Sequence, residues 1–283
     1  MRLISKVVEH TLYKPNRTGD RAMQPERFEP RFRIRERSCL GRRIMTVDTG
    51  DWAKHHIYML HGGAYVSEAC PFHRSAMKTL ADRGFRVSYI DYPLAPEHTY
   101  SQAMPVVTEG WKMLCGLYNG DTMHLLGDSA GGGMALSLLM QLRDSDGTMP
   151  DSTALSSPWL DVTMSDPEID ELQKTELLLS KTALVYTGKA FAGEIDPRDP
   201  RLSPLFGHFE NLGRIFVFYS DSELFCPDCR SFVQKASACS GTTVYSHCEK
   251  GMFHDYLMFT VSGPARRAYD TLADFYEKRI RRR

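Results

Sequence analysis

The sequence has no apolar run near the roughly 18–20 residues that a membrane-spanning helix needs. Its best stretch, from Met134 to Met140, is short and interrupted by Ser137. It has no surplus of either charge, with 35 Lys and Arg against 35 Asp and Glu. That balance argues against a dedicated nucleic-acid binder, which needs a positive field to displace counterions. It has no disulfide framework: the 7 cysteines (Cys39, Cys70, Cys115, Cys226, Cys229, Cys239 and Cys248) are odd in number and scattered. The opening residues Met1-Arg2-Leu3-Ile4-Ser5-Lys6 lack the apolar core of an export signal, and Glu9 and His10 follow closely. The expectation is reduced thiols in a cytoplasmic protein. With 42% hydrophobic and 25% charged residues, disorder is excluded as well.

What is present is enough chain for a large core. A length of 283 residues allows burial of about three quarters of the unfolded surface. The neutral total hides a distribution. Residues 1–50 carry 12 Lys and Arg against 6 Asp and Glu, and Lys278, Arg279, Arg281, Arg282 and Arg283 make a basic tail. The middle is therefore acidic. The tail reads as cations at a helix C-terminus, favoured by the macrodipole, rather than as a lipid or nucleic-acid site.

From about residue 31 the chain alternates β-like and helical stretches. The strands read from the sequence are 32–37 and 42–48, joined at Gly41, then 55–60, 85–90, 123–126, 154–157, 214–219 and 242–246. Helices read at about 70–83, 101–118, 130–143, 227–239 and 261–280. This alternation predicts an α/β class fold: a single domain over 1–283, with a mostly parallel eight-stranded sheet and helices on both faces. Active sites of such sheets lie at the carboxyl ends of the strands. Residues 1–30 and 161–205 break the alternation and are expected to form a helical cap there.

Gly127-Asp128-Ser129-Ala130-Gly131 follows a strand and opens a helix. This is the Gly-x-Ser-x-Gly elbow in the context that makes Ser129 a candidate nucleophile. An earlier strand ends in His61-Gly62-Gly63-Ala64-Tyr65. Glycines there let backbone N–H groups approach a developing oxyanion, so Gly62, Gly63 and Ala130 are the expected donors.

The pair HGGA and GDSAGG resembles the hormone-sensitive-lipase-like family of α/β-hydrolases, whose bacterial members are the family IV carboxylesterases. The segments Asp91-Tyr92-Pro93-Leu94-Ala95-Pro96-Glu97-His98, Ser157-Pro158-Trp159-Leu160-Asp161 and Asp199-Pro200-Arg201-Leu202-Ser203-Pro204-Leu205 resemble it too. Pro93 departs from the Arg common in that family. The fold orders its triad Ser, acid, His. Of the histidines, His208, His247 and His254 follow Ser129. His208 precedes the strand whose end should carry the acid, and His247 lies on the last strand itself. His254 lies in the loop after that strand, in a segment resembling the family's Gly-Met-x-His, and is the expected base. The strand over 214–219 leaves Asp221, Glu223 and Asp228 as acids. The resemblance points to Glu223, with Asp221 the alternative.

The expectation is a carboxylic ester hydrolase acting on small, short-acyl esters, without cofactor or metal. A deacetylase or amidase would use the same residues, and a non-catalytic ligand-binding member would have to dispense with them. Cys226-Pro227-Asp228-Cys229 is a single CxxC, too little for zinc. The resemblance also implies a homodimer through the last strand and helix.

Overall fold

In the computed structural model, residue 15 and residues 17–279 are described. Residues 1–14 and 16, the start of the expected cap, lie outside the described residues, as do 280–283 with Arg281, Arg282 and Arg283. The β-branched and aromatic runs pair into one eight-stranded sheet of order β1-β2-β4-β3-β5-β6-β7-β8. Strands β1 (Arg33–Cys39) and β2 (Arg42–Asp48) form the expected hairpin, turning at Leu40 and Gly41 with φ of 48° and 77°. β2 pairs antiparallel with β4 (Arg86–Ile90). The others run parallel: β3 (His55–Leu60), β5 (Thr122–Asp128), β6 (Ser152–Ser156), β7 (Gly213–Ser220) and β8 (Thr242–Glu249).

Alternate residues of each central strand enter two different cores, as the period of two requires. Tyr58, Leu60 and Leu125 pack under α2 (Tyr100–Leu117), α3 (Ser129–Asp144) and α6 (Cys226–Ser237). Ile57, Met59 and Leu126 pack under α1 (Pro71–Ala81) and α7 (Gly263–Tyr276). Helix α3 is buried on every side from Ser129 to Met140, as befits a central helix. The last helix begins later than the sequence predicts because Ser262 caps it, its side chain accepting from the Ala265 N–H.

The 161–205 segment carries α4 (Glu168–Leu172) and α5 (Lys181–Ala192). Ile169, Leu184 and Phe191 bury into the α2/α3 core, and Phe191 stacks on Tyr65 at 4.0 Å. The N-terminal part of the expected cap is shorter than 1–30. Residues 21–31 run down the outside of α1: Arg74 reaches the Ala22 carbonyl, Lys78 pairs with Glu29 at 2.5 Å, and Arg31 pairs with Asp82 at 2.9 Å. Their apolar residues Met23 and Phe28 prefer that core to the strand ends. Near the strand ends only residues 17–20 are described, and Arg17 binds the carbonyls of Val66 and Ala95 and the carboxylate of Glu97.

At the opposite edge, buried histidines tie the strand starts together. His124 Nδ1 bonds the Ser152 hydroxyl at 2.8 Å, and its Nε2 meets His55 Nδ1 at 3.0 Å. Burial and neighbouring cations push its pKa down to about 3, so it is neutral when folded and titrates near 6.5 when unfolded. Stability from this residue is present above about 6.5 and is lost as pH falls from there toward 3. The difference in melting temperature between wild type and His124→Asn should therefore shrink as pH falls from 7 to 5. A gap independent of pH would refute a neutral, buried His124.

Candidate active site

The parallel register pairs Leu60 with Gly127. The turns after β3 and β5 therefore leave the sheet side by side, and Ala64, Tyr65 and Val66 of the first share a core with Ala130 of the second. Ser129 sits at φ 51°, a strained conformation that turns its side chain out of the elbow. The flanking glycines are required by close approach. A Cβ on Gly127 would lie 2.3 Å from the Gly131 carbonyl oxygen, and one on Gly131 would lie 2.0 Å from that of Leu60.

The loop after β8 brings His254 to this point. Its Nε2 lies 3.0 Å from Ser129 Oγ, and its Nδ1 lies 2.6 Å from Glu223 Oε2. The other oxygen of Glu223 accepts from the Ser157 hydroxyl at 2.8 Å and the Ser220 N–H at 2.9 Å. Glu223 is wholly buried. Burial opposes the imidazolium of His254, but the bonded Glu223 charge outweighs it and raises the pKa to about 9. A base, a hydroxyl and an orienting carboxylate within hydrogen-bond reach can generate an alkoxide for acyl transfer. Asp221 is elsewhere: it accepts from the Gly251 N–H at 2.7 Å and the Ser222 hydroxyl at 2.9 Å, near the surface. Asp228 is buried in α6, where burial pushes its pKa to about 8.

One expected oxyanion donor is corrected. The Gly62 N–H donates to Asp128 Oδ2 at 2.9 Å and is already committed. A Cβ there would lie 2.4 Å from the same oxygen, so glycine at 62 permits this close bond rather than an approach to substrate. Among the described residues the N–H groups of Gly63 and Ala64 have no acceptor. The Ala130 N–H lies in the first turn of α3, where amides lack intrahelical partners. Ala64 is held at φ 52° and Tyr65 at 62°, while the Val66 and Ser67 amides fold back onto the Gly63 carbonyl.

The sequence reading missed a buried polar layer beneath the elbow. Asp128 also accepts from His73 Nε2 at 3.1 Å. Burial and the Asp128 charge push the Asp255 pKa well above the usual carboxylate range. Ser156 Oγ bonds Asp255 at 2.6 Å. Only the positions of Asp128 and Asp255, immediately beside Ser129 and His254, hinted at this layer. Cys226 and Cys229 are buried free thiols, and burial drives the Cys226 pKa up to about 12. Among the described residues no group of three His, Cys, Asp or Glu could hold a metal ion, and no helix could cross a membrane.

A family model described as alpha/beta hydrolase fold matches residues 57–258. A protein named esterase from Acinetobacter venetianus is 32% identical over 251 residues, spanning 87% of this chain and 82% of the relative. An acetyl-hydrolase from Streptomyces hygroscopicus is 28% identical over 223 residues, spanning 75% of this chain and 74% of the relative. The crystal structure of an esterase from the bacterial hormone-sensitive lipase family superposes with a TM-score of 0.84 at 22% identity, over 98% of this chain and 97% of that one. The chain belongs to the α/β-hydrolase family, and its matched relatives include named esterases.

The geometry distinguishes the two acids. Glu223→Gln should lower ester turnover by on the order of 10⁴-fold, the scale seen when an orienting carboxylate is neutralised. It should also move the rising limb of the kcat/KM–pH profile toward lower pH, because the charge that raises the His254 pKa is gone. Asp221→Asn should leave both within about twofold of wild type. A larger loss at Asp221 in the same assay would reverse the assignment.

Proposed function

We propose that this carboxylic ester hydrolase is a serine esterase with Ser129 as nucleophile, His254 as base and Glu223 as the orienting acid. The observation that carries the reading is the unbroken hydrogen-bond chain from Glu223 through His254 to Ser129 at 2.6 and 3.0 Å. His254 Nε2 takes the hydroxyl proton as Ser129 Oγ bonds the ester carbonyl carbon. The carbonyl oxygen becomes an oxyanion facing the N–H groups of Gly63, Ala64 and Ala130. Collapse breaks the bond to the alcohol oxygen, which receives the proton from His254. A water then gives its proton to His254 and attacks the acyl-Ser129 carbonyl. The carboxylic acid leaves and Ser129 recovers its proton.

Short acyl groups fit this site best. Tyr65 stacks between Phe191 at 4.0 Å and Trp159 at 5.4 Å, and Phe225 meets His254 edge-on at 5.0 Å. The Trp159 amide is bonded to the Ser129 carbonyl at 2.9 Å. This aromatic wall is fully buried. The acetyl-hydrolase relative agrees with a short acyl group. Residues 161–205 form the cap side of the site together with the N-terminal residues around Arg17, and β8 with α7 offers the edge for a homodimer.

Hydrolysis of p-nitrophenyl acetate should be abolished by Ser129→Ala, with a loss on the order of a million-fold by the subtilisin precedent. The melting temperature should stay close to wild type, since the substitution removes one hydroxyl and leaves the backbone of the elbow unchanged. Turnover that survives the substitution would overturn the assignment. Matched p-nitroanilide and p-nitrophenyl substrates should favour the ester; a preference for the anilide would make the chain an amidase.

A further inference from the structure

A fully formed interaction lies outside the three residues assigned to catalysis. His73 is buried at 6% exposure on the first turn of α1. Its Nδ1 accepts the Cys70 N–H at 2.8 Å, so that nitrogen keeps its lone pair and the proton resides on Nε2. Burial opposes a charged ring here, while Cys70 and Asp128 favour one and hold the His73 pKa well above its ordinary value; Nε2 carries a proton in either state, and the Cys70 amide fills the place of one on Nδ1. The Nε2–H therefore donates to Asp128 Oδ2, the same oxygen that accepts the Gly62 N–H. One carboxylate oxygen thus receives one donor from α1 and one from the loop that presents Gly63 and Ala64.

We propose that His73 is a positioning residue for the oxyanion loop, acting through Asp128. The inference rests on the reading of Ser129 as the nucleophile and of Gly63, Ala64 and Ala130 as donors. Asp128 is covalently joined to Ser129, so fixing its carboxylate sets the distance between the nucleophile and the amides of the loop opposite. Without the Nε2–H, Oδ2 loses one of its two donors inside a buried site. The carboxylate then reorients to recover solvation or a partner. Gly62 is released with it, and the next two amides lose their aim. A displacement of about 1 Å at such a site lowers the rate by as much as about 10²-fold.

Two substitutions separate this role from the helix cap that His73 also provides. Asn in place of His73 keeps an acceptor near Nδ1 for the Cys70 amide but has nothing that reaches Asp128. Gln keeps a donor near Nε2 for Asp128 but abandons the Cys70 amide. The measurements are kcat and KM with p-nitrophenyl acetate, the inhibition constant of phenylboronic acid, and the melting temperature. Phenylboronic acid accepts Ser129 Oγ and presents a tetrahedral anion to the oxyanion donors. His73→Asn should lower kcat by roughly 10- to 100-fold, leave KM within about twofold, and weaken phenylboronic acid by the same factor as kcat. His73→Gln should keep kcat within a few-fold of wild type while its melting temperature falls. The proposal is overturned by a His73→Asn enzyme with wild-type kcat, by one whose boronate affinity is unchanged while kcat falls, or by a His73→Gln enzyme as slow as His73→Asn. Turnover that survives Ser129→Ala would instead remove the reading on which the proposal stands, so the two failures are told apart.

Discussion

The parallel pairing of β3 with β5 is the constraint from which the site follows. Leu60 lies opposite Gly127 in that register, so both strands end at the same height. A slip of one residue would send every side chain of a strand to the other face. It would also part the elbow from the loop at Gly62. The register is held because Ile57 and Met59 belong to one core while Tyr58 and Leu60 belong to the other. Hydrophobic packing on both faces of the sheet thus fixes a polar geometry at its edge. The glycines then allow backbone to meet backbone at distances no side chain could tolerate.

Burial works against a charged imidazole at both ends of the strands, and what it meets there decides the outcome. At the strand starts, His56 and His124 are driven to pKa values of about 3. They serve as neutral hydrogen-bonding groups. At the strand ends, His254 is pushed up to about 9 because a buried carboxylate touches it. The same desolvation that forbids charge on an unpaired histidine strengthens the attraction between a paired one and its acid. Asp255 takes a third course: burial and the Asp128 charge outweigh the neighbouring His254 and push its pKa well above the usual carboxylate range.

Much of this was legible from the residues alone, and the exceptions share a cause. Strand and helix order follow local patterning, and all eight strands fall where alternation and turn residues place them. Ser129 and His254 were legible because a short motif or a loop position marks them. Glu223 could be separated from Asp221 only by resemblance, because both follow the same strand. The structure distinguishes them by direction: Glu223 turns inward to His254, and Asp221 turns outward to Gly251. Gly62 is expected at the oxyanion because, like Gly63, it has no side chain to keep its N–H from an approaching oxygen. Its amide belongs to Asp128, a partner 66 residues away. His73 left no mark at all, since a histidine in the first turn of a helix carries no signal until its neighbours are known. Residues 21–31 of the expected cap lie along α1 because Met23 and Phe28 join that core, and composition says nothing about which surface is nearest.

The bond between His254 and Ser129 joins residues 125 positions apart, and Glu223 stands 31 positions before His254. Contacts this distant in sequence close late, since the entropy of the intervening loops must be overcome first. The elbow is built by β5 and α3 alone, whereas the contact of Ser129 with His254 needs β8 and the loop behind it. With the proposed roles, Ser129 meets its base only once the loop after β8 has docked against the elbow. Recovery of esterase activity during refolding then times one event, the arrival of the last strand, rather than the collapse of the core.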